Sequence, residues 1–304
     1  AELAKRCRCE KTYPSLEQMV KDDAIEAVFV ATDAPSHARH CIDAMKHGKH
    51  VCTAVPAVWG SVEAADELLE TVKTTGLKYM MFETSCYRAD CYAMRQVYMA
   101  GGFGRLVYSE GEYYHFGGDT PIASYKDWRL GMPPLWYPTH STAYYVGVTD
   151  QAFTTVSCMG FKSGARIFLP GANQYGNEIT DEVALFATTE GGTSRMLKAR
   201  STYKKGAEAG RVYGEKGWMS GTSYLGAMTK LPNIERPGLP PGMGAGGHGG
   251  SHGRLTDEFI SSILANRKPL VDIYQALNMT VPGVIAHQSA LKDGETMKVP
   301  VYRA

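Results

Sequence analysis

The strongest constraint on this chain lies between residues 25 and 86, where three short apolar runs, "IEAVFVATD", "HVCTAVP" and "KYMMFETSC", alternate with two amphipathic segments. The runs are strand-length and rich in β-branched and aromatic residues. The separators, "SHARHCIDAMKHGK" and "SVEAADELLETVKTTG", have helical spacing, and the second opens on the N-cap candidate Ser61 and stops at Gly76. Strands alternating with helices at this interval predict right-handed crossovers and a parallel sheet. Ligands in such sheets bind beyond the carboxyl ends of the strands, which places Thr32, Asp33, Thr53, Pro56 and Glu83 along one ligand-facing edge. Upstream, "AELAKR" reads as a helix end, "CEKTY" as a brief strand and "SLEQMVKD" as a helix opened by Ser15.

The texture changes near residue 105. "RLVYSEGEYYHF", "TTVSCMGFKS", "EVALFATTEGGTSRMLKARSTYKK" and "RVYGEKGWMSGTSYLG" read as strands joined by Gly-rich turns, hence a mostly antiparallel sheet. The predicted division is residues 1–104, a Rossmann-like domain, and residues 105–304, an α+β domain with an open sheet. Residues 231–253 are Pro- and Gly-rich and too long for an ordinary connection, so they form a flexible linker or a functional loop. Helices at about 254–266 and 275–291 and a strand in "MKVPVY" complete the chain.

A chain of 304 residues is long enough for two domains. Its 32 Lys and Arg nearly cancel 31 Asp and Glu, which argues against electrostatic capture of nucleic acid or anionic lipid and for a small, largely neutral ligand. Seven scattered cysteines do not make a paired disulfide framework, so reduced thiols in a cytoplasmic setting are expected. No run approaches the roughly 18 apolar residues of a membrane span, and Ala1 opens no signal-peptide pattern.

"AIEAVFVATDAPSHARHCIDAMKHGKHVCTAVPA", "GRLVYSEGEYYHF" and "RKPLVDIYQALNMTVPGVIAHQSALKDGE" together resemble the Gfo/Idh/MocA oxidoreductases over nearly the whole chain. Within them, "AVPA", "MMFETSCY", "WYPTH" and "GGHGGSH" are most similar to the branch of NAD-dependent glycosidases resembling glycoside hydrolase family 109. The resemblance implies a Rossmann domain binding NAD or NADP, with NAD the cofactor expected here, a C-terminal domain whose open sheet pairs copies into dimers or tetramers, and a sugar or glycoside as substrate. Two departures stand out. The family opens with a strand, a GxGxxG turn, a helix and a second strand, and this sequence begins after them, so an upstream segment is expected to be missing. The "GAGGHG" at 244–249 follows no strand and fails as a phosphate cradle. Where the family shows Glu-Lys-Pro, this chain has Ala54, Val55 and Pro56, so the lysine credited with proton transfer is absent.

Oxidation of a sugar hydroxyl needs a base within hydrogen-bond reach. His140 in "WYPTH" is the candidate: it follows Pro138 at an expected helix start, whose dipole favours the neutral imidazole. Tyr137 would share the same oxygen as donor. Glu83 is expected to hold the nicotinamide ribose or a substrate hydroxyl. Tyr114 and His115 end the first strand of the second domain, with strand alternation turning one of the two away. Trp136 is the aromatic expected to stack on a sugar face, ahead of Trp128, Tyr144 and Tyr145. His248 is expected to reach substrate from the Gly-rich loop; with His252 it has metal-like spacing but no third ligand, and no metal is expected. Each of these residues has a structural alternative in capping or core packing.

The expected cofactor wall comprises Ala31, Thr32, Pro35, His37, Thr53, Pro56 and Glu83. The reaction expected is hydride transfer from a ring carbinol to NAD with His140 as base, the C3 position resting on the resemblance alone. It either ends as a sugar dehydrogenase or continues through elimination and hydration as a redox glycosidase. The alternative is a non-redox sugar-binding or oligomer-forming relative.

Overall fold

A computed structural model describes residues 4–5, 8–116, 124–202 and 208–304. The first sheet is small and parallel: β1 (Ala27–Val30), β2 (His50–Thr53) and β3 (Tyr79–Met81) lie in that order. Helix α1 (Leu16–Met19) precedes it, and α2 (His37–Lys46) and α3 (Val62–Thr75) are its crossovers. Ser61 caps α3 by accepting the Ala64 amide at 3.1 Å, and Gly76 ends it in the left-handed region at φ 65°, which glycine adopts without a Cβ clash. "CEKTY" is not a strand. Lys11 and Tyr13 both turn to the Asp22 carboxylate, which folds the segment into a hook beside the sheet with no strand to pair.

Helix α4 (Ala89–Met99) leads into the second sheet, in which β4 (Leu106–Tyr114), β5 (Phe153–Phe161), β6 (Asp181–Thr188), β7 (Thr193–Ala199), β8 (Glu208–Gly214), β9 (Gly217–Ser220), β10 (Ser223–Gly226) and β11 (Met297–Lys298) are ordered β10-β9-β8-β4-β7-β6-β5-β11. Its pairings are antiparallel except β4 with β7. Helix α5 (Thr139–Thr142), which continues as a π-turn over Ala143–Gly147, lies on the inner face of this sheet. Its approach requires bare backbone on β4, since a Cβ on Gly111 would come within 2.0 Å of the Ser141 carbonyl oxygen.

Helix α6 (Gly247–Leu264) begins with left-handed residues His248, Gly249 and Gly250, and α7 (Ile273–Ala290) follows. Helix α7 is buried on nearly every side, as an apolar sequence without a polar stripe requires. It ties the two sheets together: Thr280 accepts the Ala57 amide at 3.3 Å, and His287 Nδ1 lies 2.6 Å from the Glu182 carboxylate of β6. Among the described residues, Cys41, Cys52, Cys86, Cys91 and Cys158 are buried free thiols and Cys9 is exposed. No helix among them is long and apolar enough to cross a membrane.

Candidate active site

Strand β3 ends at Met81, and two residues on Glu83 caps the following turn, Thr84–Tyr87, by accepting the Ser85 amide at 2.8 Å. The same carboxylate oxygen lies 2.6 Å from His140 Nδ1, with both side chains buried. A carboxylate accepts, so Nδ1 carries the proton and Nε2 presents a lone pair. That tautomer is the one a general base needs. Ser85 completes the back of the site, its hydroxyl 3.3 Å from His140 Nδ1 and donating to Glu208 at 2.6 Å.

Burial alone would raise the Glu83 carboxyl, but the His140 charge and hydrogen bond and the Ser85 amide together hold it below the ordinary carboxylate value. Its contribution to stability is therefore present above the unfolded pKa of about 4.5 and is lost as pH falls through the depressed folded value. Glu83→Gln is expected to lower stability at neutral pH and so to flatten the fall toward acid in a stability-against-pH curve measured by denaturant melts. An unchanged acid limb would show that the pair does not couple protonation to folding.

In front of His140 the inner face of the second sheet presents a row. Glu208, Tyr113, Lys198 and Glu182 lie side by side on β8, β4, β7 and β6. The Tyr113 ring meets His140 edge-on at 4.7 Å between centroids and lies 5.2 Å from His115 and 6.3 Å from Tyr137. Trp128 stacks on Tyr137 at 6.3 Å. His248 lies nearly parallel to His140 at 6.4 Å, held by its contact with His252 at 2.8 Å. Burial, followed by the charges of Lys198, Arg200 and Arg129, pushes the His115 imidazole down to about 2, so its ring is neutral at physiological pH. A cleft of about 800 Å³ reaches this group at Trp128 and is lined besides by Arg129, by Ala31, Thr32 and Asp33 at the end of β1, and by Ser15 to Glu17.

Residues 1–83 match the family described as "Oxidoreductase family, NAD-binding Rossmann fold" (GFO_IDH_MocA). Over those residues the chain is similar to the Gfo/Idh/MocA family. Among its relatives, a glycosyl hydrolase family 109 protein of Stenotrophomonas maltophilia (strain K279a) is 23% identical over 95% of this chain and 75% of its own length. An alpha-N-acetylgalactosaminidase of Bacteroides fragilis (strain ATCC 25285) is 33% identical over 41% of this chain, which spans 31% of that relative. The fold is shared with a myo-inositol dehydrogenase from Lactobacillus casei in complex with NAD(H) and myo-inositol, with a TM-score of 0.71, 16% identity, and coverage of 100% of this chain and 86% of the other.

The cleft lies at the carboxyl end of β1, where ligands of parallel α/β sheets bind. Ala31 and Thr32 are exposed in it, Asp33 supplies a carboxylate, and Trp128 offers a ring edge. Pro35 is exposed nearby but does not line it. The remaining expected wall residues serve the wall from behind. His37 is buried between the carbonyls of Pro56 (2.8 Å) and Thr32 (3.2 Å) and braces the two turns against each other. Thr53 is buried and donates to Val30 and Ala54 carbonyls. Pro56 follows a cis peptide bond and is likewise buried.

Three substrate-side expectations shift. Glu83 has no exposed surface and its carboxylate is committed to His140 and Ser85, so it fixes the orientation of that imidazole. Strand alternation turns Tyr114 to the outer face and brings Tyr113 and His115 inward. Trp136 points away from His140: its ring meets Trp59 at 5.6 Å, Tyr175 at 5.8 Å and His287 at 6.0 Å, and Gly60 lies flat beneath it. Tyr137, its neighbour on a tight turn, necessarily faces the opposite side, where it meets Trp128, Tyr113 and His140. The "GAGGHG" stretch forms the entry to α6 beside His140, far in sequence from any strand of the parallel sheet. Sequence reasoning missed Ser85, Tyr113, Arg129, Lys198, Arg200 and Glu208. Of these only Tyr113 carried a local signal, its two-residue spacing from His115.

Proposed function

We propose that this chain is an NAD-dependent, sugar-active oxidoreductase in which His140, oriented by Glu83, removes the proton of a ring hydroxyl as its carbon is oxidised. The observation that carries this reading is the buried Nδ1–Oε1 contact of 2.6 Å, which leaves Nε2 as the base beside a row of aromatic hydrogen-bonding side chains. NAD, when bound, supplies the hydride acceptor. Tyr137 is buried next to His140, and burial raises its phenol above the ordinary value, so it stays protonated and can donate to the reacting oxygen. His115, neutral, holds a neighbouring hydroxyl, and His248 closes the site from α6.

Similarity to proteins named glycosyl hydrolase family 109 and alpha-N-acetylgalactosaminidase supports a redox glycosidase, in which oxidation at C3 acidifies the adjacent C–H and permits elimination of the aglycone, then hydration and return of the hydride. The test is incubation with NAD and either free sugars or their glycosides. A glycosidase releases aglycone without accumulating NADH, and a dehydrogenase accumulates it. Absence of both reactions across a panel of hexoses and glycosides would sink the reading.

A second copy of the chain is the proposed partner. Met159, Phe161, Val183 and Leu185 are 62%, 61%, 41% and 51% exposed and share the outer face of the second sheet, an apolar patch of the kind that marks an association surface. Light scattering after size exclusion is expected to give a dimer or tetramer, and Leu185→Glu to shift it toward monomer. A monomeric wild-type chain would remove this proposal.

A further inference from the structure

Three cationic side chains gather at the C-terminal end of the inner-face row, with no carboxylate hydrogen-bonded to them among the described residues. Lys198 and Arg200 are essentially unexposed, and Lys198 Nζ, Arg200 Nε and Nη1, Arg129 Nη1 and the His115 Nδ1 atom make no hydrogen bond. Lys198 Nζ rests 3.3 Å from the centre of the Tyr113 ring and 5.1 Å from that of Tyr137, and Arg129 lies 5.5 Å from the other side of Tyr137. Lys198 and Arg129 therefore both approach the tyrosine that flanks His140, and Arg200, two residues beyond Lys198, lies 5.9 Å from the Phe168 ring. Each also depresses its neighbours: Lys198 is pushed below the ordinary lysine value by burial and by Arg200 and Arg129, and Arg200 is brought down to about 10 by burial and Arg129.

The nearby carboxylates are spoken for. Glu182, beside Lys198 in the sheet, accepts from the Leu135 amide at 2.6 Å and faces His287. Asp181 accepts the amides of Arg200 and Ser201 at 3.0 and 3.1 Å and three hydroxyls besides. Glu83 holds His140, and Glu208 takes the Ser85 hydroxyl and lies 3.6 Å from Arg88. Buried cations without hydrogen-bond partners are strongly unfavourable, so a fold that keeps Lys198 and Arg200 buried behind the half-buried Arg129 of the cleft wall has a use for negative charge there.

We propose that the sugar bound in this cleft carries an acidic group, a carboxylate seated among Lys198, Arg200 and Arg129, making uronic acids and their glycosides the substrate class. This rests on the reading of the cleft as a sugar site. The geometry suits a carboxylate because an arginine fork takes both oxygens and the lysine caps one of them.

The test is calorimetric titration of the intact chain at fixed ionic strength with D-glucuronate, D-glucose and sodium sulfate, beside turnover assays with the same sugars and their methyl glycosides. Glucuronate is expected to bind at least about tenfold more tightly than glucose and than sulfate, and Lys198→Met and Arg200→Met each to reduce that preference to near unity. Equal affinity for the two sugars in the wild-type chain overturns the inference without recourse to variants. Sulfate binding as tightly as glucuronate overturns it too, since the cluster would then hold a free inorganic anion. Oxidation or cleavage of neutral sugars without preference for the acids sinks this inference and leaves the proposed function standing. Selective glucuronate binding with no turnover of any sugar does the reverse.

Discussion

Replacement of His140 by alanine is expected to lower kcat for sugar oxidation by about 10²–10⁴-fold, the usual contribution of a positioned general base. The loss should fall on kcat more than on KM, because the proton is taken only as the hydroxyl carbon gives up its hydride. His140 lies on α5 and is 3% exposed, so its removal also leaves the Glu83 carboxylate without the Nδ1 hydrogen bond that it accepts. A variant that keeps the neighbourhood polar, His140→Gln, separates chemistry from folding: it should melt close to wild type yet share the kinetic defect. Glu83→Gln should lower kcat as well, since an amide oxygen still accepts from Nδ1 but no longer stabilises the imidazolium that forms during the step. Unchanged turnover in His140→Gln would move the base elsewhere in the cleft.

Gly111→Ala is the second large effect expected, and it acts through backbone alone. The added methyl would lie 2.0 Å from the carbonyl oxygen of Ser141, the residue after His140, and backbone cannot swing aside as a flexible side chain can. Overpacking of this kind costs about 1–3 kcal/mol, and the relief available is displacement of α5 away from β4. Such a shift moves His140 relative to Glu83 and the cleft, and a misplacement of about 1 Å is enough for a loss on the order of 10²-fold in rate. Thermal melts together with kcat check both consequences. A variant with wild-type stability and wild-type kcat would mean that α5 tolerates a wider gap than its packing indicates.

The parallel half of the fold was legible because its signals are local. The apolar runs ending at Val30, Thr53 and Met81 and the caps Ser61 and Gly76 each depend on neighbours within a few residues, and all reappear in the structure. The brief strand expected at "CEKTY" had the right composition, but two contacts to Asp22 decided its path instead. His140 and Tyr137 were visible through the "WYPTH" motif, whereas Trp136, one residue from Tyr137, was assigned to the wrong side. A tight turn carries no strict two-sided period, so the sequence could not say which of two adjacent rings faces the cleft.

The sequence by itself determined the alternation that makes the parallel sheet and the mostly antiparallel character of the second one. Only the tertiary structure decided what the site is made of. Glu83 and His140 are 57 residues apart, Ser85 and Glu208 are 123 apart, and the row Glu208, Tyr113, Lys198 and Glu182 draws on four strands. Pairing register and inter-sheet packing set these contacts, and both are fixed by the whole chain folding at once, with no trace in the spacing of the residues that meet.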